Sequence, residues 1–166
     1  MKTQKTPPED LRLSAAPGAD PRGAQPGVSA MTGAGGALVF VYGTLLRGEK
    51  NSALLATAEF VGEARTTKGF RLYSCGAFPA MVHYVGGGRV VGEVWRVDAR
   101  TLALLDRLEG VAWGLYQRKA IRVFIEGVSG YGAPAASLPL QAEAYLQDRD
   151  RQQGRVLIPG GSWRAR

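Results

Sequence analysis

A glutamate on the apolar side of a predicted helix is the first residue that could carry acid–base chemistry. Four leucines share one arc when residues 99–109 are placed on a helix: Leu102, Leu104, Leu105 and Leu108. Glu109 falls inside this arc and in the last helical turn. Burial and the negative end of the helix dipole both disfavour a charged carboxylate there, so we expect a raised pKa for Glu109. A carboxyl group that titrates near neutrality suits general acid–base catalysis.

Other carboxyl groups near this helix keep alternative interpretations open. Glu109 could instead lie in solvent at a frayed helix end, or form an ion pair with Arg118. Asp106 lies at the edge of the apolar arc and is interpreted as a structural hydrogen-bonding group. Glu93 is a third candidate for the acid–base group. Strand alternation places its side chain on the opposite face from that of Val94, in an outward position.

The second candidate feature is the turn formed by Tyr42, Gly43, Thr44 and Leu45, which follows an unbroken apolar strand at residues 38–42. Strands of this kind are buried on both faces, so we expect the turn to lie at the mouth of the core. Gly43 lets the backbone turn and lets a ligand approach it closely. Successive unpaired amides form an anion-binding concavity. The turn is therefore a candidate cradle for a carboxylate or phosphate, with an ordinary strand exit as the alternative.

Composition limits the classes of function. The 166 residues suffice for one globular domain, and the apolar runs are too short to span a bilayer. The net charge of +7 is spread over scattered basic residues without interleaved aromatics, so nucleic acid is the least favoured partner. Cys75 and His83 are the only cysteine and histidine, which excludes an internal disulfide framework and a Cys- or His-rich metal site. The cysteine usage suits a reducing cytoplasm.

Composition also divides the chain. Residues 1–36 are rich in Pro, Gly, Ala and Ser, and we expect a disordered or poorly structured tail before a single domain at residues 37–166. Met31 is an alternative start.

Helices are predicted at 51–58 and from the cap Asp98 to Glu109, with Gly110 as the stop. Strands are predicted at 38–42, 60–66, 70–73, 80–85, 90–97, 116–126 and 140–147, the fourth and fifth flanking a triple-glycine turn. This pattern favours an α+β fold with a closed or strongly curled sheet.

An ordered series of short segments runs through residues 37–164. The segments are Val-Tyr-Gly-Thr-Leu-Leu-Arg-Gly at 41–48, Asn51, Phe-Val-Gly-Glu-Ala at 60–64, Leu-Tyr at 72–73, Phe-Pro-Ala at 78–80, Val-Gly-Glu-Val-Trp at 91–95, Leu-Asp-Arg-Leu-Glu-Gly at 105–110, Tyr-Gln-Arg at 116–118 and Gly-Ser-Trp-Arg at 161–164. In this order they resemble the gamma-glutamylcyclotransferase-like family, which includes the gamma-glutamylamine cyclotransferases. The chain departs from the family pattern at Ser162, where an aspartate is common, and after Gly110, where a proline is usual.

The resemblance implies a small mixed β-barrel with two or so flanking helices and an enzyme that releases 5-oxoproline from a gamma-glutamyl compound. It implies that the turn at residues 42–45 holds the glutamyl moiety through backbone amides and that Glu109 is the catalytic glutamate. The substrate's α-amine would attack its own γ-carbonyl, so the resemblance implies no metal or organic cofactor. Tyr42, Tyr116 and Arg118 are candidates to support the site, with core packing and surface charge as the alternatives.

Two other functions stay open at this point. The glutamyl group could arrive on a larger, acidic carrier protein, which the basic surface would attract. A non-catalytic member of the fold could instead bind a small carboxylate or a protein partner.

Overall fold

Five strands close into a mixed barrel in the computed structural model, which describes residues 35–127 and 139–166. The strands of the described part are β1 (Ala37–Val41), β2 (Glu59–Thr66), β3 (Phe70–Ser74), β4 (Pro79–His83), β5 (Val91–Val97), β6 (Gln117–Ile125), β7 (Leu140–Leu146) and β8 (Val156–Ile158). The barrel order is β1-β5-β2-β6-β7; β1 and β7 are parallel, and the other neighbours along this order are antiparallel. The predicted α+β class with a small mixed barrel is confirmed.

A second, three-stranded sheet has the order β4-β3-β8, and β3 is antiparallel to both neighbours. The sequence predicted two strands flanking the triple glycine, and these lie in different sheets, β4 in the small sheet and β5 in the barrel. Gly87 lets the segment between β4 and β5 lie close to the backbone of β3, because a Cβ there would lie 2.5 Å from the carbonyl oxygen of Phe70. The glycine segment at residues 86–88 packs across the start of β3, and the chain then continues into barrel strand β5. The three-residue strand β8 was not predicted.

One α-helix, α1 (Ala99–Leu108), packs beside the barrel. The carboxylate of Asp98 caps it by accepting a 2.7 Å hydrogen bond from the amide of Thr101, and Gly110 ends it with a φ of 62°. The predicted helix at 51–58 is corrected to a single 3-10 turn at Ser52–Leu55. Further 3-10 turns that were not predicted occupy Val111–Trp113, Arg149–Gln152 and Trp163–Ala165.

The apolar arc of α1 is narrower than the four predicted leucines. Leu105 is fully buried and Leu102 is partly buried, whereas Leu104 and Leu108 are each 40% exposed. The helix therefore covers the core with one edge, and its C-terminal end stays open to solvent on the side of Leu108.

Glu93 lies among the fully buried residues, so its expected outward position is corrected. Its Oε1 accepts hydrogen bonds from the Arg47 and Arg164 guanidinium groups, and its Oε2 accepts from the Arg47 amide and the Trp95 indole. Alternation predicts the face of a strand but not what later covers it, and here two arginines from distant segments cover the carboxylate.

The predicted disordered tail falls outside the described residues, except for positions 35 and 36. Within the described part of the chain, no helix has the length and hydropathy needed to cross a membrane.

Candidate active site

The turn after β1 and the end of α1 share one cavity of about 220 Å³. Residues 40–45 form one wall, together with Lys50 and Asn51. The opposite walls come from Phe78 and Pro79, from the last residues of α1 at 108–109, from residues 115–116, and from Tyr145. The two features that the sequence singled out, the turn at 42–45 and Glu109, therefore line the same cavity.

Asn51 holds the turn in shape. Its amide donates to the carbonyl oxygen of Thr44 at 2.8 Å, and its Nδ2 donates to the Thr44 Oγ1 at 3.0 Å. The amide of Leu46 closes the turn on the carbonyl oxygen of Gly43 at 3.0 Å. Within residues 35–127 and 139–166, the amides of Gly43, Thr44 and Leu45 have no protein acceptor. Three successive N–H groups are thus available to an anion in the cavity.

Gly43 is needed for close packing. Its φ is not positive, so the turn itself would accept another residue. A Cβ at this position would lie 2.5 Å from Cγ and 2.7 Å from Cδ of Pro79. The missing side chain therefore lets the turn lie directly against the Pro79 wall of the cavity.

The Glu109 carboxyl group is largely buried, and burial raises its pKa to about 7. Within the described ranges it has no hydrogen-bond or ion-pair partner in the protein. The alternative pairing with Arg118 does not occur, because the Arg118 Nε lies 3.3 Å from the Asp106 Oδ1. A carboxyl group with this pKa can both accept and donate a proton near neutrality.

Three tyrosines form the walls around Glu109. The Tyr42 hydroxyl donates to the Tyr145 carbonyl oxygen and accepts from the Met81 amide at 3.3 Å, and the Tyr116 hydroxyl donates to the Pro79 carbonyl oxygen at 2.8 Å. Burial raises the pKa of Tyr42, Tyr116 and Tyr145 well above the usual value. These phenols stay neutral and fix the cavity walls.

Arg118 does not line the cavity. It reaches the site only through Asp106, whose carboxylate also accepts a 2.8 Å hydrogen bond from the Tyr145 hydroxyl. The interpretation of Asp106 as a structural hydrogen-bonding group agrees with these contacts. Arg118 thus contacts Asp106, which in turn binds the lining residue Tyr145.

The sequence did not identify several wall residues, above all Lys50, Phe78, Leu115 and Tyr145. Lys50 follows the turn closely in the chain, and its position beside Asn51 was the signal available. Phe78 and Tyr145 come from distant segments, where no local periodicity points to a shared cavity, and Leu115 is brought to the cavity by the backbone reversal at Gly110.

Comparison with known proteins gives a family and a fold. Residues 39–165 match the family described as gamma-glutamyl cyclotransferase, AIG2-like. The gamma-glutamylaminecyclotransferase of Homo sapiens is 37% identical over 121 residues, covering 68% of this chain and 78% of that protein. The gamma-glutamylcyclotransferase family protein YtfP of Escherichia coli K12 is 34% identical over 125 residues, covering 75% of this chain and 94% of that protein. A crystal structure of an AIG2-like protein from Mus musculus has a TM-score of 0.57 at 28% identity, over 69% of this chain and 78% of that one.

Proposed function

Because the chain belongs to the gamma-glutamyl cyclotransferase, AIG2-like family and is an enzyme of that type, we propose that it releases 5-oxoproline and a free amine from a small gamma-glutamyl conjugate. In this proposal Glu109 is the general acid–base group. The observation that carries the proposal is the one cavity that is lined both by Glu109 and by residues 43–45, whose amides have no protein acceptor in the described part of the chain.

The substrate's α-carboxylate binds at the turn. The amides of Gly43, Thr44 and Leu45 supply hydrogen-bond donors, and Lys50 supplies a positive charge on the same wall. The α-ammonium group and the γ-amide then face Glu109 across the cavity. Holding both ends of the glutamyl chain folds it toward a five-membered ring, and this enforced proximity supplies much of the rate.

Proton transfer through Glu109 completes the reaction. The carboxylate takes a proton from the α-ammonium group, and the freed amine attacks the γ-carbonyl carbon to form the ring C–N bond. The protonated carboxyl group then gives that proton to the leaving nitrogen as the original amide bond breaks. The ring nitrogen keeps one of its three protons, and the other two leave with the amine, both carried by Glu109. A pKa of about 7 lets one group serve as base and then as acid.

The proposal is tested by comparing 5-oxoproline release by the wild type and Glu109→Gln. The glutamine keeps the size of the side chain but cannot carry a proton, so we expect turnover to fall by about 10²- to 10⁴-fold. Glu126→Gln, at an exposed carboxylate outside the cavity, is the matched control and retains full turnover. Circular dichroism and the melting temperature report whether both variants are folded. Undiminished turnover by Glu109→Gln contradicts the proposal.

The same assay separates the two alternatives. A non-catalytic binding protein would bind small gamma-glutamyl conjugates without releasing 5-oxoproline. An enzyme for a carrier-linked glutamyl group would turn over only the carrier form, at a rate that falls as salt screens the basic surface. The cytoplasmic location stays a prediction that rests on the single cysteine.

A further inference from the structure

Part of the mouth of the cavity is apolar. Tyr42 and Leu45 line the cavity at 6% and 4% exposure, so they belong to its depth. Leu108 and Leu115 line the same cavity at 40% and 39% exposure, which puts them where it opens to solvent. Partly buried Phe78 also lines it. Lys50 is a further exposed residue of the lining, so a group leaving through this opening passes apolar side chains and one lysine.

The backbone after α1 holds this mouth in place. Gly110 has a φ of 62°, and its carbonyl oxygen accepts hydrogen bonds from the amides of Trp113 at 3.0 Å and Leu115 at 3.1 Å. A Cβ at Gly110 would lie 3.1 Å from the Leu115 Cβ and 3.7 Å from the Trp113 ring. The segment thus folds back on Gly110, the residue after Glu109, and brings Leu115 to the cavity that Glu109 also lines.

Both charged side chains of the cavity lining are used by the glutamyl group in the proposed reaction. Among the described lining residues, Lys50 is the one basic side chain and Glu109 the one carboxyl group. In the proposed reaction Lys50 faces the substrate's α-carboxylate and Glu109 faces its α-ammonium group. The lining holds no carboxyl group beyond Glu109 to pair with a cationic leaving amine, and an ammonium group brought to this mouth loses hydration without a partner of opposite charge.

Resting on the proposed function, we propose that the preferred substrates are gamma-glutamyl amides of hydrophobic amines. A branched alkyl or aromatic group on the leaving nitrogen packs against Phe78, Leu108 and Leu115. Leaving amines that carry a second ammonium, or that lack an apolar group to pack at the mouth, are poor substrates. Leu115 determines this specificity, because it is an exposed residue of the cavity lining and is hydrogen-bonded to Gly110, which directly follows Glu109.

The test compares kcat/KM for three synthetic conjugates: gamma-glutamyl isopentylamide, the cationic gamma-glutamyl 5-aminopentylamide and the anionic gamma-glutamylglycine. We expect the isopentylamide to be favoured by about tenfold or more. Leu115→Glu should lower kcat/KM for the isopentylamide and raise it for the cationic conjugate, reversing their order. Leu157→Glu, at an equally exposed leucine on β8 outside the cavity, should leave the order unchanged.

The outcomes separate this inference from the function on which it rests. Equal kcat/KM for all three conjugates, or preference for a charged one, overturns the inference and leaves the cyclotransferase proposal standing. If Leu115→Glu and Leu108→Glu both keep the wild-type order of kcat/KM for the three conjugates, the side chains at the mouth do not determine substrate preference. Release of 5-oxoproline from none of the conjugates overturns both proposals.

Discussion

The backbone amide of Arg47 donates a 3.1 Å hydrogen bond to the fully buried carboxylate of Glu93. The bond connects the segment just after the turn at residues 42–45 to barrel strand β5. The Arg164 guanidinium group binds the same carboxylate at 3.0 Å and the Arg47 carbonyl oxygen at 2.7 Å, which adds the end of the chain to the same anchor. Glu93 is therefore a positioning residue for the turn, and it touches no part of the cavity itself.

Replacing Glu93 should loosen the turn. Glu93→Gln removes the charge that balances Arg47 and Arg164, which are 47% and 43% exposed. Breaking a buried ion pair costs about 3–5 kcal/mol, and water screens part of the charge here, so we expect the free energy of unfolding to fall by about 2 kcal/mol. The KM should rise more than kcat falls, because in the proposed reaction the turn binds the substrate's α-carboxylate. Chemical denaturation and steady-state kinetics measure both effects.

Glu63→Gln is the matched control for this prediction. Glu63 pairs with the same Arg47 at 3.2 Å, but its side chain is 57% exposed. An exposed pair contributes about 0–1 kcal/mol, so this variant should change neither stability nor KM appreciably. Equal effects of the two substitutions would contradict the role given to Glu93.

Gly43→Ala should distort the cavity. The new Cβ would lie 2.5 Å from Pro79, so either the turn or the proline wall must move. We expect a loss of about 1–3 kcal/mol in stability and a higher KM. Gly88→Ala is the control, since a Cβ there meets nothing within 4 Å and its φ is not positive. The double variant Gly43→Ala, Pro79→Ala should recover part of the lost affinity; no recovery would contradict a clash with Pro79.

Tyr116→Phe tests the wall beside Glu109. The substitution leaves the buried carbonyl oxygen of Pro79 without the 2.8 Å hydrogen bond from the hydroxyl group. An unsatisfied buried acceptor costs about 1–3 kcal/mol, and we expect a destabilisation in that range by thermal or chemical denaturation. Because the phenol has a raised pKa and stays neutral, the pH profile of kcat should keep its shape. A shifted profile would show that the tyrosine exchanges protons with the substrate.

How much the sequence predicts depends on the distance over which each signal acts. Asp98 and Gly110 are local signals, and they predicted the start and end of α1 because caps act within one turn. The exposure of Leu108 and the burial of Glu93 depend on segments far along the chain, so periodicity misjudged both. Leu115 was missed as a wall of the cavity because the backbone reversal at Gly110 brings it there, and periodicity does not describe such a turn. The turn at residues 42–45 was singled out by a glycine after an apolar strand, Glu109 was singled out by its place on an apolar arc, and the resemblance implied a shared role for both.

The pH dependence of activity should follow Glu109. In the proposed reaction the carboxylate form accepts the proton from the substrate's α-ammonium group, so kcat/KM should rise with pH and bend near the pKa of about 7. The profile is measured at constant ionic strength with one conjugate. A bend near the ordinary glutamate pKa of about 4.3 would mean that the reacting carboxyl group is exposed to water or is a different one.

The same carboxyl group should make the folded state less stable as pH rises. Burial raises the pKa of Glu109 from 4.5 to about 7, so between these values the folded chain holds a proton that the unfolded chain has released. The free energy of unfolding therefore falls as pH increases through this window, by on the order of 3 kcal/mol for a shift of this size. Glu109→Gln lacks this titration. Its stability relative to the wild type should increase between pH 4.5 and 7 and then level off, as measured by urea denaturation across the range. The other carboxyl groups titrate equally in both proteins and cancel from the difference. A constant difference would show that Glu109 is hydrated in the folded state, which would also remove the physical basis for its action as both base and acid.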